Sequence, residues 1–374
     1  MERRRFLTTA AAAGTAALAG CGGGEAEGGA PAVQTDRRVR WRLASSFPRS
    51  AEIIYRGAEA LAERVAALTG GRFEIRPSPA GEIVPALQVL DAVQNRSVPI
   101  GHTAGYYFRG KSPALAFETA VPFGMTARQQ NAWMLYGDGL DQTRRVLADF
   151  GVLNFLGGNT GTQMGGWFRR PVGALADLRG LKIRIPGLGG EVMDRLGALP
   201  QTIAGGEVYQ ALERGVVDAA EWIGPYDDER LGFQNVVQTY HYPGWWEPGA
   251  VLSFYVNQAE YDRLPEAYKE ALAVASQEAN ARMLAEYDAQ NPPALRRLVE
   301  GGVRLVPFPD DVMRAARDAA RDLLEEGADP GGYRALLDAY RRFQTDSDRW
   351  LATAEQAYNQ FTYGLGATAG ATAS

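Results

Sequence analysis

Arg184 is the first residue whose setting suggests binding chemistry. Leu181, Ile183 and Ile185 alternate with Lys182 and Arg184, and Pro186-Gly187 ends the run. That is strand periodicity, and it puts Arg184 at a strand's carboxyl end, on the face opposite the apolar side chains. A guanidinium there can grip a carboxylate through two parallel hydrogen bonds. The alternative is an Arg on a solvated face. Glu221 closes a short apolar run from Val216 to Ala220 and is followed by Trp222. A carboxylate dried by a bulky ring wants a cation or a donor, unless it simply reaches water. Gln163 lies in the irregular, glycine-rich stretch 157–167, which also holds Asn159. Its amide oxygen is a neutral ligand that suits hard cations such as Na⁺ or Ca²⁺. The stretch lacks the Gly-Lys-Ser/Thr ending and GxGxxG spacing of phosphate loops; the plainer reading is a hairpin. Residues 240–248 (Tyr-His-Tyr-Pro-Gly-Trp-Trp-Glu-Pro) crowd four aromatics around Glu247. They either wall a pocket or plug a core. His241 among them reads as a hydrogen-bonded structural histidine.

Composition narrows the chemistry. The 374 residues carry 39 Lys+Arg against 44 Asp+Glu, a net charge of −5. With no basic excess, a nucleic-acid partner is not expected. One Cys and two His leave little for zinc sites, disulfide scaffolds or His-based acid–base catalysis. Carboxylates, amides, Arg and aromatics remain, a set suited to binding more than turnover. A hydrolytic alternative stays open: an exported glycosidase using Glu221 and Glu247 as its two carboxyls.

The elements that must hold these residues alternate. Val39, Trp41 and Leu43 mark a strand, Ile54 to Leu68 an amphipathic helix stopped by Gly70-Gly71, and Phe73 and Ile75 a second strand. This βαβ start predicts parallel pairing. A second α/β stretch begins near residue 160. A long helix is expected over 262–290, broken at Pro292-Pro293. A strand follows at 303–308, with helical segments near 310–326 and 331–363. Two α/β starts imply two lobes sharing a cleft beyond their strand ends. The boundaries read as 37–160 for lobe I with part of 251–300, and 161–250 for lobe II with part of 301–330. A C-terminal helical segment at 331–363 and a disordered tail at 364–374 complete the chain.

The N-terminus reads as an address. Arg3-Arg4-Arg5-Phe6-Leu7 and the Ala-rich run behind it form an export signal over 1–20, with a twin-arginine-like start. Leu18-Ala19-Gly20-Cys21 resembles a lipoprotein box that would make Cys21 the lipidated first residue. Residues 21–36 then form a flexible tether. The mature protein is expected outside the cytoplasm, periplasmic or at the cell surface, anchored to a membrane by lipid.

Three segments together resemble the extracytoplasmic solute-binding proteins of TRAP (tripartite ATP-independent periplasmic) transporters. They are 177–187 (DLRGLKIRIPG), 206–222 (GEVYQAL…GVVDAAEW) and 242–248 (YPGWWEP). The resemblance implies a two-lobed α/β fold of the periplasmic-binding-protein kind, with a hinge, a cleft between the lobes and a long helix crossing both. It implies no catalysis but capture of an organic acid and delivery to a membrane permease. Arg184 matches the residue that holds the acid's carboxylate. The third segment, with Gln163 and Glu221-Trp222, resembles the branch that binds small 2-oxo or 2-hydroxy monocarboxylates with a metal cation. Gln163, Glu221 and the Trp222 carbonyl would hold Na⁺ or Ca²⁺, with Glu247 counted beside them. Tyr106, Tyr107, Trp222 and Trp246 would size the pocket, with Asn159 facing the ligand. Some relatives dimerise through the C-terminal helix, here 331–363.

Overall fold

The computed structural model describes residues 37–327 and 332–370, with side chains through 363. The signal, Cys21 and the tether lie outside the described residues.

The first sheet has the order β2-β1-β3-β10-β4, from β1 (Val39–Ser45), β2 (Phe73–Ser78), β3 (Ile100–Thr103), β4 (Val152–Asn159) and β10 (Val251–Asn257). β1 pairs in parallel with both β2 and β3, as the βαβ pattern requires, and β10 runs antiparallel between β3 and β4. The second sheet has the order β11-β9-β5-β8-β6-β7. It comprises β5 (Gly166–Phe168), β6 (Lys182–Arg184), β7 (Leu199–Gln201), β8 (Ala219–Ala220), β9 (Thr239–Tyr242) and β11 (Arg304–Pro307). Each sheet has its own apolar core, one around Trp41, Phe73 and Leu272, the other around Ile183, Trp246 and Phe308. A further buried cluster joins the two sides, with Ala44, Leu156 and Leu252 of the first and Trp167, Trp222 and Tyr240 of the second.

The chain passes between lobes at 160–165, at 243–250, and through a long helix, Glu266–Glu300. Tyr268, Leu272, Ala275 and Ala279 bury this helix in the first core. Further on, Arg297 pairs with Glu229 of the second lobe, and the Asn291 side chain accepts the Tyr226 N–H. Pro292-Pro293 does not break the helix, contrary to the sequence expectation. The two prolines withhold hydrogen bonds from the carbonyls of Asp288 and Ala289. Both are exposed residues, so water can take those carbonyls, and packing on either side keeps the helix continuous.

Two other expectations shift. The strand foreseen over 216–220 shortens to Ala219–Ala220. The last helix runs on to Gly370, although the tail was expected to be unstructured from 364; its Ala residues favour helix. The preceding helix, Tyr333–Leu351, docks on the first lobe through Tyr340, whose ring meets Phe117 and Trp133 edge-on. No described helix is long and apolar enough to cross a membrane.

Candidate functional site

Strand register brings the central charges together. Arg184 pairs with Ala220 across β6 and β8, so Glu221 follows directly beside it, and the Glu221 N–H donates to the Arg184 carbonyl at 3.0 Å. Both side chains are buried, each 1% exposed. Solvation of Arg184, the alternative left open by sequence, is therefore excluded. Its Nη1 donates to Glu221 Oε2 at 2.8 Å and to the Glu221 carbonyl at 3.0 Å, while Nε donates to the Ile203 carbonyl at 3.1 Å. The guanidinium carbon lies 5.1 Å from the centre of the Trp222 ring. Nη2 is buried with no hydrogen-bond partner. Gly205 lies under Trp222 because a Cβ there would come within 2.2 Å of the ring.

Gln163 arrives on the first lobe-crossing segment. Its Nε2 donates to Thr160 Oγ1 at 2.8 Å and to Glu247 Oε2 at 3.0 Å. Its Oε1 is buried and unpaired. Tyr106 and Tyr107 come from the turn Gly105–Phe108 after β3, their rings meeting edge-on at 4.9 Å.

These groups enclose one small cavity. Its polar lining is Thr160, Gln163, Arg184 and Glu221. Phe47, Tyr106, Tyr107 and Trp222 form the aromatic wall, closed by Ile54, Ile223, Ala250 and Leu252. Only about 10 Å³ is open to the centre of a water-sized sphere, roughly one water. The lobes are shut around it: Glu52 of the first lobe accepts from Arg230 at 2.7 Å and from the Tyr226 hydroxyl at 3.1 Å, and Arg109 pairs with Glu191. Larger hollows lie elsewhere, about 490 Å³ beside Arg169 and Arg170 and about 760 Å³ between Ile83 and Glu207. Neither joins buried opposite charges.

Three of the residues expected at the site fall outside this cavity. Asn159 is buried at the end of β4, where its Oδ1 accepts the Gly161 N–H at 2.8 Å and its Nδ2 reaches Asn131. Trp246 packs in the second core against Trp245 and Phe308. Glu247 stands one layer back, behind Gln163. His241 behaves as expected: its Nε2 accepts the Val172 N–H at 3.1 Å. Phe47, Ile54 and Thr160 were not singled out by sequence. Phe47 lies two residues past the end of β1, where strand-end logic could have found it.

Burial governs the electrostatics. It pushes the Glu221 carboxyl well above its usual range, opposed by Arg184. It lifts Glu247 to about 7, against Arg184 and the Gln163 amide. Tyr107 is pushed up to about 12 by burial, with Arg184 pulling the other way. Among the described residues no three His, Cys, Asp or Glu side chains gather into a metal cage. A hard cation still fits the donor set here, because the unpaired Gln163 oxygen and the Glu221 carboxylate share one cavity. The remaining oxygens would have to come from backbone or from a bound solute.

The chain matches the profile of bacterial extracellular solute-binding protein, family 7 (DctP), over residues 44–329. It belongs to this family. Its members are solute-binding receptors of TRAP transporters, so the chain is an extracytoplasmic binding component that serves a membrane permease, and not an enzyme. The glycosidase alternative falls with this, and the geometry agrees: Glu221 is tied to Arg184 and Glu247 does not reach the cavity.

Among relatives, the chain is 48% identical to a monocarboxylate 2-oxoacid-binding periplasmic protein of Nostoc sp., over 96% of this chain and 99% of that one. It also resembles a TRAP solute-binding protein from Bordetella bronchiseptica, solved as a dimer with copurified calcium and picolinate (TM-score 0.87, 44% identity, 89% and 100% coverage). A third is the TRAP periplasmic solute-binding protein of Pseudoalteromonas atlantica, solved with sodium and pyruvate (TM-score 0.84, 40% identity, 87% and 99% coverage).

Proposed function

We propose that this receptor captures a small 2-oxo or 2-hydroxy monocarboxylate together with Na⁺ or Ca²⁺. One observation carries the reading: a buried guanidinium nitrogen and a buried amide oxygen, both unpaired, belong to residues that line one cavity. The first needs an acceptor and the second needs a donor or a cation. A 2-oxo acid with a cation answers both, since burial demands a partner for each charge. Arg184 would take the carboxylate. Gln163 Oε1, Glu221 and the Trp222 carbonyl would hold the cation, which supplies positive charge beside the acid's carboxylate and 2-oxygen.

The relatives' ligands support this class. Pyruvate places a carboxylate beside a carbonyl oxygen, and picolinate places one beside a ring nitrogen. Each is a two-donor chelate on adjacent atoms. Phe47, Tyr106, Tyr107 and Trp222 leave little room for larger acids, and lobe opening would admit the solute. Binding to the closed form then shifts the open–closed equilibrium.

A melting screen tests the class. Pyruvate, lactate and other 2-oxo acids should raise the melting temperature in calcium or sodium, since a ligand of the folded state alone stabilises it. Dicarboxylates and sugar acids should not. Stabilisation by sugar acids instead, or by pyruvate after chelation and sodium removal as strongly as before, would refute the reading.

Two finer features belong to the same proposal. The Leu18–Cys21 box supports a lipid anchor at Cys21, which mass spectrometry finding an unmodified cysteine would remove. Trp350, Tyr358 and Phe361 stand exposed on the C-terminal helices, and the Bordetella neighbour was solved as a dimer. Both support a homodimer, which light scattering at the mass of one chain would remove.

A further inference from the structure

We infer that Glu247 and Thr160 are positioning residues that set the rotation of the Gln163 amide, turning its oxygen to the cavity. The inference rests on the cation reading above and assigns Glu247 a different task from metal ligation. The two ends of a glutamine amide are almost the same size, so shape does not choose between them; hydrogen bonds do. With the oxygen inward, the cavity offers a cation ligand. With the NH₂ inward, it presents donors that repel a cation.

The structure decides by partners. Nε2 meets two acceptors, Thr160 Oγ1 and Glu247 Oε2, while Oε1 has none. Turning the amide over would set its oxygen against a carboxylate oxygen. Hydrogen bonds to charged acceptors are the stronger kind, so Glu247 is the dominant lock. Thr160 is the second lock, with its own hydroxyl directed to the Gly161 carbonyl.

The lock draws on both lobe-crossing segments. Thr160 and Gln163 lie on 160–165, and Glu247 on 243–250. The segments are joined where the Gly244 N–H donates to the Gln163 carbonyl at 3.1 Å and the Thr160 N–H donates to the Ala250 carbonyl at 3.0 Å. The geometry also accounts for a carboxylate that is 4% exposed yet absent from the cavity wall. Residues behind a ligand commonly orient it and raise its affinity for the metal.

The test uses the full chain and two variants, Glu247→Gln and Thr160→Val. Calcium binding alone is measured by calorimetry, and pyruvate binding is measured with calcium and with a chelator. Glu247→Gln keeps the size but removes the charge and can face Gln163 with either its NH₂ or its oxygen, so the Gln163 amide is no longer held one way round. It should weaken calcium by about 10- to 100-fold and collapse the gain in pyruvate affinity that calcium gives. Thr160→Val should act in the same sense but less, and carries the test if Glu247→Gln does not fold. Thr160→Ser should recover most of what Thr160→Val loses. A merely structural role would lower the melting temperature and leave that gain intact. A cation-dependent parent with equally cation-dependent variants would overturn the orientation claim alone. A parent indifferent to calcium and sodium would overturn the cation reading, and this claim with it.

Discussion

Two buried carboxylates, Glu118 and Glu221, show how a structural acid differs from one at a binding site. Glu118 lies in the first lobe with both oxygens served: Ser253 and Asn154 donate to Oε1, and Tyr255 donates to Oε2 at 2.7 Å. All its partners are neutral, and none lines the cavity that Glu221 lines. Glu221 is equally buried, but its partner is a guanidinium that keeps one nitrogen unpaired, in a cavity that also holds an unpaired amide oxygen. Burial raises the proton affinity of both acids. Each setting leaves a buried polar atom unpaired, Asn154 Oδ1 in the first, but in the second an unpaired donor and an unpaired acceptor belong to residues lining one cavity, where a ligand can answer both.

The largest effect should separate the two regions cleanly. Arg184→Ala strands both the acid's charge and Glu221. Calorimetry should show pyruvate affinity falling by about 2–5 kcal/mol, roughly 30-fold or more. Near-parental binding would place the carboxylate elsewhere and erase the distinction.

A second effect concerns pH. Burial lifts Asp227 from 3.8 to about 7 and Asp228 from 3.8 to about 6, and Glu247 from 4.5 to about 7. Carboxyls that hold a proton more tightly when folded stabilise the fold fully below about pH 4. That stability is lost as pH rises through about 6 to 7. The melting temperature without ligand should therefore be higher at pH 5 than at pH 8, the stability lost between them being on the order of a few kcal/mol at ~1.4 kcal/mol per pH unit. Calcium should flatten the slope, because a cation beside Glu221 favours ionised carboxylates. A slope unmoved by calcium would assign it to Asp227 and Asp228 alone.

The smallest effect is the control from the structural side. Glu118→Gln should cost about 1–3 kcal/mol of stability by spoiling its donor set. The calcium-dependent gain in pyruvate affinity should stay that of the parent. Losing that gain would show that Glu118 also serves the site.

Much of this was legible in the residues. Alternation around Ile183 placed Arg184 at a strand end, and the run before Glu221 placed that carboxylate at another; parallel register then made them neighbours. What sequence could not give was depth. Trp246 and Trp222 look alike as aromatics beside acids, yet one plugs a core and the other floors the cavity. Asn159 and Gln163 look alike as amides in one glycine-rich stretch, yet the first is spent on Gly161 and Asn131 and the second keeps an oxygen free. Pro292-Pro293 misled because a local rule met a helix held by two lobes.

Diffraction from crystals grown with pyruvate and calcium tests the central claim most directly. The account predicts the acid's carboxylate on Arg184 and an anomalous calcium peak bonded to Gln163 Oε1, Glu221 and the Trp222 carbonyl. An acid bound away from Arg184, or a calcium peak that leaves Gln163 and Glu221 untouched, would contradict it.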